Sequence, residues 1–169
     1  MRIRLVEPRD SEPIRAIYNV EVVGGTTTFD LVTRTVEEQR AWVDRHRGAH
    51  PAIVAVEDPS PGGRGADTVL AFGVIAPYRN RAAYATTVES SVYVHGDHRG
   101  RGIGRAVVTE LVRLAGDHGF HTVIARISGN NEASIALHQA CGFETVGVER
   151  EVGRKHGRWL DVVEMQRML

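Results

Sequence analysis

Cys141 is the only cysteine in a chain of 169 residues, so no intramolecular disulfide can form and nothing points to an oxidising compartment. No apolar run approaches the ~20 residues that span a bilayer, and no membrane partner is expected. The opening Met1-Arg2-Ile3-Arg4-Leu5-Val6 lacks the apolar stretch of a signal peptide. An excess of one charge is lacking too, since Lys plus Arg and Asp plus Glu both number 21. A nucleic-acid binder usually carries a basic excess, and with aromatics at only 6% none is expected here. Eight histidines are present, but none stands at His-Glu-x-x-His or another paired ligand spacing, so no metal is expected. Apolar residues are plentiful, at 42% of the chain, enough at 18.6 kDa to build the core of one domain over residues 1–169. A cytoplasmic single-domain protein is the expectation.

Residue patterning predicts a mixed α/β order. Ile3 to Val6 alternates briefly and reads as a strand. Asp10 or Ser11 can cap a helix running to about Val22 with Ile14, Ile17 and Tyr18 on one face, and Gly24-Gly25 stops it. Thr26 to Phe29 follows as a loop or extended piece. Thr35-Val36-Glu37-Glu38 has capping-box spacing and starts a second helix that carries Trp42 inward. Ala52 to Val56 is a buried-looking strand, and Asp58 to Asp67, rich in Pro, Gly and Ser, reads as a surface turn. Thr68 to Pro77 and Ala83 to Val94 are predicted as two longer strands in a hairpin. A glycine-rich turn leads into a helix to about His118. Thr122 to Ile127 is then a strand, Glu132 to Ala140 a helix, and Phe143 to Glu151 a strand. Gly153 to Gly157 is a turn before a last strand from Arg158 to Met168. Strands first pair locally and then alternate with helices.

The most informative stretch is Val92-Tyr93-Val94-His95-Gly96-Asp97-His98-Arg99-Gly100-Arg101-Gly102-Ile103-Gly104. A strand enters, glycines let the backbone approach a ligand, and a helix begins at once, leaving free N–H groups at the positive end of its dipole. His98, Arg99, Arg101 and Arg105 add positive charge, so a phosphate-bearing ligand suits the turn. A P-loop would need a Lys-Ser/Thr pair that is absent, and a dinucleotide fingerprint would need a different glycine spacing from 100, 102 and 104. An Arg/Gly surface turn without a ligand is the alternative.

Arg99-Gly100-Arg101-Gly102-Ile103-Gly104 after a Val-Tyr-Val strand resembles the acetyl-CoA pyrophosphate loop of the GNAT superfamily of N-acetyltransferases. Further on, Asn131-Glu132-Ala133-Ser134 leads through Leu137-His138-Gln139-Ala140-Cys141 to Gly142-Phe143, similar to the superfamily's second cofactor segment. A closer resemblance covers nearly the whole chain. Ile17-Tyr18-Asn19, Thr27-Thr28-Phe29, Ala83-Tyr84, Val88-Glu89-Ser90-Ser91-Val92-Tyr93-Val94, Leu137-His138 and Lys155-His156-Gly157-Arg158-Trp159-Leu160-Asp161 resemble the phosphinothricin N-acetyltransferase family, whose relatives act on methionine sulfoximine and methionine sulfone. The resemblance implies a GNAT fold with a twisted, mostly antiparallel sheet flanked by helices. It also implies acetyl-CoA as co-substrate, an amino-acid-like small molecule as acceptor, and a homodimer.

Acetyl transfer needs a neutral amine, yet an α-ammonium is mostly protonated at neutral pH, so the site needs a base. Glu89, on the strand just before the turn, is the candidate; an outward-facing strand glutamate is the alternative. The resemblance implies that backbone N–H groups around Val92, Tyr93 and Val94 hold the acetyl and pantetheine amides. It also implies that Arg99 to Arg105 (Gly100, Arg101, Gly102, Ile103 and Gly104 between them) hold the pyrophosphate. His138 stands where many superfamily members have a tyrosine acid. It is read either as the proton donor to the thiolate or as a half-buried helix histidine, and the thiolate can also leave unaided. Asn131 and Ser134 are read as pantetheine contacts or as helix caps. On the acceptor side, Arg79 and Arg81, with Asn80 between them, are candidates to clamp a carboxylate and a second acidic oxygen. Phe29 would supply an apolar wall, with Ser90 and Ser91 beside Glu89. Cys141 reads as a buried small hydrophobe rather than a nucleophile. Other expectations weighed against this one are a GNAT enzyme for another small amine or a protein N-terminus, and a non-catalytic acyl-CoA sensor.

Overall fold

A computed structural model describes residues 1–57, 67–129 and 131–169; the surface turn predicted at 58–67 lies almost wholly outside them. The elements run β1 (Arg2–Leu5), α1 (Ser11–Gly24), α2 (Val36–Arg45), β2 (Ala52–Glu57), β3 (Thr68–Pro77), β4 (Thr87–Val94), α3 (Ile103–Asp117), β5 (Thr122–Ser128), α4 (Glu132–Ala140), β6 (Glu144–Lys155) and β7 (Arg158–Met168). The strands form one seven-stranded sheet in the order β1-β2-β3-β4-β5-β7-β6. Every neighbouring pair is antiparallel except β4 and β5, which are parallel and joined through α3. Among the described residues no helix is long and apolar enough to cross a membrane.

The sheet separates two cores. On one face α3 packs through Ile103, Val107, Val108 and Leu111 against Leu70, Ile75, Val88 and Val123. On the other, α1 and α2 pack through Ile14, Ile17, Val22, Trp42 and Val43 against Val54, Val56 and Phe72. Such burial from both sides explains why β2 and β3 read as continuous apolar runs rather than alternating ones. Trp42 does point inward, meeting Phe72 edge-on at 5.9 Å between ring centroids. Cys141 is buried as expected.

Local chemistry accounts for most boundaries. The Thr35 hydroxyl accepts from the Glu38 N–H (3.2 Å) and the Glu38 carboxylate accepts from the Thr35 N–H (2.8 Å), the reciprocal cap that starts α2. Asp10 occupies the N-cap position of α1 but does not cap it through its side chain. Its carboxylate instead takes both Arg4 nitrogens (2.6 and 2.8 Å) and the Glu7 N–H (2.8 Å), bracing the short turn Pro8–Asp10. Two strand predictions need correction. β4 starts at Thr87 rather than Ala83, because Ala82–Tyr84 coils into a 3-10 turn. β6 runs to Lys155, so the predicted turn over Gly153 to Gly157 shrinks to His156-Gly157, both at positive φ. A register shift between Glu149 and Gly153 absorbs the extra residues and keeps the ladder paired with β7.

Candidate active site

β4 and β5 stay paired only from Thr87↔Thr122 to Ser90↔Ala125. Beyond that point Ser91–Val94 pairs only with β3, and Arg126–Ser128 only with β7. The two strands diverge and leave facing backbone edges across a cleft. The cleft is lined by Thr27, Ser90–Tyr93, Ala125–Ser128, Asn131, Ser134 and His138. It opens into a cavity of about 410 Å³ that shares Thr27, Val92, Tyr93, Asn131 and Ser134 with it and continues along Val94, Arg99, Gly100, Gly102–Arg105 and Leu137. A strand edge without a partner strand presents N–H and C=O groups ready for an extended amide ligand.

The glycine turn lies at the far end of that cavity. Gly102 is the N-cap of α3 at φ 77°, a left-handed conformation that glycine adopts freely. A Cβ on Gly100 or Gly102 would meet no protein atom within 4 Å, so the space beside both is open. At Gly104 a Cβ would stand 2.7 Å from the Leu137 side chain, which is why α3 and α4 approach closely here. The α3 N-terminus, with no acidic residue in its first turn, offers unpaired N–H groups to an anion. Arg99 and Arg105 line the cavity. Arg99 is held by the Glu21 carboxylate through Nη2 and by the Val94 carbonyl through Nε (3.3 Å). Arg101 is not among the lining residues and instead lies 2.8 Å from His98 Nδ1 and 3.9 Å from Glu57.

α4 closes the other wall. The Asn131 side-chain oxygen accepts from the Ser134 N–H (3.1 Å), so Asn131 caps α4 and also lines the cleft. His138 is buried and meets Phe143 edge-on. Its Nδ1 lies 2.8 Å from the Ser134 carbonyl and so carries the donating proton. The neutral ring then offers Nε2 as an acceptor. Burial holds His138 below the usual imidazole range, favouring that neutral form.

Strand pairing aligns a second set of side chains on the α1–α2 face of the sheet. Glu89 pairs with Ala76 and Ile124, Arg126 with Glu164, and Val162 with Glu149, so Glu89, Arg126, Glu164 and Glu149 share one face at successive levels along the strands. Arg126 donates to the Glu149 carboxylate, and Tyr78 donates to Glu164 (2.9 Å). Burial pushes the Glu89 carboxyl upward, Arg126 opposes this, and Glu164 and Glu149 add to it. The loop carrying Thr27 and Phe29 covers part of this face. It is held where the Tyr18 hydroxyl meets Thr28 Oγ1 (2.9 Å) and Asp30 (2.5 Å). The Phe29 ring presses on Gly153 of β6 so closely that any Cβ there would clash, at 2.3 Å.

The predicted residues therefore fall into three groups. Val92–Val94, Arg99–Arg105, Asn131, Ser134 and His138 gather around the cavity, with Arg101 turned aside. Glu89, Ser91 and Phe29 lie on the sheet face beside the cleft, with Ser90 buried and bonded to the Ile124 carbonyl (3.4 Å). Arg79, Asn80 and Arg81 sit in the β3–β4 loop outside the cleft lining, with Arg79 over the Tyr78 ring at 4.9 Å. Sequence reasoning missed Glu21, Thr27 and Arg126. A lone arginine within the apolar strand Thr122–Ser128 was the available signal for the last. Among the described residues no group of three or more His, Cys, Asp or Glu could hold a metal ion.

Residues 13–143 match the acetyltransferase (GNAT) family. The chain is 37% identical over 171 residues to a phosphinothricin N-acetyltransferase of Streptomyces coelicolor, covering 100% of this chain and 96% of the relative. It is 37% identical over 158 residues to an L-methionine sulfoximine/L-methionine sulfone acetyltransferase of Pseudomonas aeruginosa, covering 93% and 88%. The crystal structure of a phosphinothricin acetyltransferase from Sinorhizobium meliloti in complex with acetyl-CoA superposes with a TM-score of 0.91 at 37% identity, covering 99% of this chain and 88% of that one. The open β4 edge offers backbone groups to an extended amide arm, and the glycine turn and the start of α3 offer N–H groups and arginines to a pyrophosphate, as acetyl-CoA requires. The chain belongs to the GNAT family and is an acetyl-CoA-dependent N-acetyltransferase of the phosphinothricin/methionine sulfoximine acetyltransferase family.

Proposed function

We propose that the enzyme acetylates the α-amino group of an amino-acid analogue such as phosphinothricin, methionine sulfoximine or methionine sulfone, by direct transfer with Glu89 as the base. The observation that carries this reading is the place of Glu89. It is partly buried on the last paired stretch of β4, immediately before the strands part, and burial raises its proton affinity. A carboxylate so tuned can take a proton from an ammonium, directly or through one water, and return it to solvent.

When bound, acetyl-CoA supplies the acyl group as an activated thioester. The N–H groups of the open β4 edge at Val92–Val94 hold the amides of the pantetheine arm and the carbonyl oxygen that gathers charge during attack. Gly100–Arg105 and the α3 N-terminus hold the pyrophosphate, with Arg99 oriented by Glu21. Asn131 and Ser134 border the same arm. His138 shapes the cleft beside them. As a buried neutral ring with its proton on Nδ1 it is a poor donor, and a thiol of ordinary pKa, about 8.5, leaves as thiolate without one. Phe29 forms the apolar wall over β6, Ser90 and Ser91 flank the base, and Arg79 and Arg81 on the neighbouring loop donate to the distal phosphinate, sulfoximine or sulfone oxygens of the acceptor.

The same reading makes the enzyme a cytoplasmic homodimer. β6 is an edge strand with Val146, Val148 and Val152 exposed, and Trp159 beside it on β7 is 59% exposed, which suits a contact between copies. Acetyl-CoA consumption against a panel of amino acids and their phosphinate, sulfone and sulfoximine analogues tests the acceptor. Turnover with none of them would overturn the assignment. An isolable acetyl-enzyme would overturn direct transfer.

A further inference from the structure

We infer that Arg126 anchors the carboxylate of the acceptor and so selects α-amino acids over simple amines; this deepens, and rests on, the acceptor reading proposed above. Arg126 is the one exposed residue of β5, a strand otherwise buried along its length and paired on both sides up to Ala125. An arginine there adds little to the core. It is the first β5 residue beyond the last β4–β5 pair, at the mouth of the cleft. Among the described residues that line the cleft it is the only one with a permanent positive charge.

Its surroundings are otherwise acidic. Glu89, Glu149 and Glu164 share its face of the sheet, so a cationic amine would be welcome without any arginine. A zwitterion additionally needs a receiver for its carboxylate close to the base. Glu89 and Arg126 lie on adjacent strands, two residues apart along the strand direction, which puts their backbones about 8 Å from each other. Two long side chains converging from that spacing can bracket one substrate α-carbon, with the amine toward Glu89 and the carboxylate toward Arg126. Both groups feel each other's charge across this gap. Glu149 holds Arg126 through Nη2 alone. A half-exposed ion pair of this kind contributes little stability, but it aims the planar guanidinium, whose remaining donors match a carboxylate. The distal phosphinate, sulfoximine or sulfone oxygens are then left to Arg79 and Arg81.

The test compares methionine sulfone with its decarboxylated analogue, 3-(methylsulfonyl)propylamine, in the wild type, Arg126→Met and Arg126→Lys. Acetyl-CoA affinity and thermal midpoint are measured for each to establish folding. The wild type should prefer the amino acid, and Arg126→Met should collapse the ratio of the two kcat/KM values by about 10²-fold, the usual worth of a charge-assisted pair. The lysine variant should restore part of the ratio, lacking the fork. An unchanged ratio overturns the proposal, whether both substrates keep their rates or fall together. So does an equal shift of the acid limb of both pH profiles, which would mean that Arg126 acts only through Glu89. Wild-type enzyme that acetylates the amine as well as the amino acid sinks the anchor but leaves the acetyltransferase reading standing. Wild-type enzyme that acetylates neither overturns the acceptor reading and the anchor with it.

Discussion

Arg99 in the glycine turn donates to the buried carboxylate of Glu21, a residue near the end of α1 whose backbone carbonyl accepts from Lys155 on β6 (3.2 Å). The other Glu21 oxygen accepts from the Thr27 hydroxyl (2.6 Å). Lys155, the only lysine in the chain, also donates to the Thr28 carbonyl (2.9 Å). One carboxylate thus ties the arginine of the glycine turn to the loop that covers part of the α1–α2 face of the sheet.

Arg99→Ala should therefore act twice. Loss of a cation at the turn should raise the KM for acetyl-CoA about tenfold. Leaving Glu21 buried without its cation should cost about 1–2 kcal/mol of stability, since only the arginine end of the pair is well exposed. Titration calorimetry and denaturant melts read the two effects separately. An unchanged KM would remove Arg99 from the cofactor site.

Gly102→Val places a branched side chain at φ 77° and in the space beside the turn. Acetyl-CoA affinity should fall at least about tenfold in a variant that still folds, because the side chain takes the place of a phosphate. A folded variant with wild-type affinity would exclude this turn as the pyrophosphate site.

Glu89→Gln keeps shape but cannot accept a proton. Turnover should fall by about 10²-fold or more with acetyl-CoA affinity nearly unchanged, and the loss should shrink as pH rises and the free amine becomes available. Wild-type kcat/KM should rise with pH through the elevated Glu89 pKa. The stability effect runs the other way. A carboxyl raised above its unfolded value holds its proton more tightly when folded, so its contribution declines as pH climbs through the folded pKa. Glu89→Gln should then melt higher than wild type at neutral pH. Intact turnover across about pH 6 to 9, which brackets the amine's titration, would refute the base assignment.

His138→Asn should lower kcat by less than about tenfold, below the 10²-fold or more expected of a true general acid. Because burial depresses its pKa, the unfolded chain binds the His138 proton more tightly. The stability it confers is full above the unfolded value of about 6.5 and is lost as pH falls below it. Thermal melts of the variant should consequently flatten across that window. A kcat loss of about 10²-fold at low pH that disappears as pH rises and the wild-type ring loses its proton would instead reinstate His138 as the acid.

Trp159→Glu puts a charge on the exposed β6–β7 hairpin and should split the dimer. Light scattering should find twice the 18.6 kDa chain mass for the wild type and the single chain mass for the variant. Wild-type protein that runs only as the single chain would dispose of the dimer.

Local signals were legible because their chemistry is local. The Thr35–Glu38 cap joins residues three positions apart, so spacing alone located it, and the glycine turn marked the approach to α3; that Asn131 caps α4 was only one of two readings until the structure gave its bond to Ser134. The resemblance carried by the glycine turn and by Asn131 to Phe143 named the cofactor and the family for the same reason. The Ala82–Tyr84 coil and the extension of β6 to Lys155 were missed because tertiary pairing overrode local propensity.

The amino-acid sequence by itself determined the order of elements, the glycine turn before α3, the cap of α2 and the presence of Glu89 on the strand that leads to that turn. Only the tertiary structure decided which of them meet. That β4 and β5 part after Ser90 and Ala125 is a property of two strands with α3 between them in the chain, and no window of sequence contains both. That Glu89, Arg126, Glu164 and Glu149 share one face depends on the register of four strands, since a one-residue slip would turn any member to the opposite face. Burial of Glu89 and His138, and hence the direction in which each proton affinity moves, follows from what packs above them rather than from their neighbours in the chain.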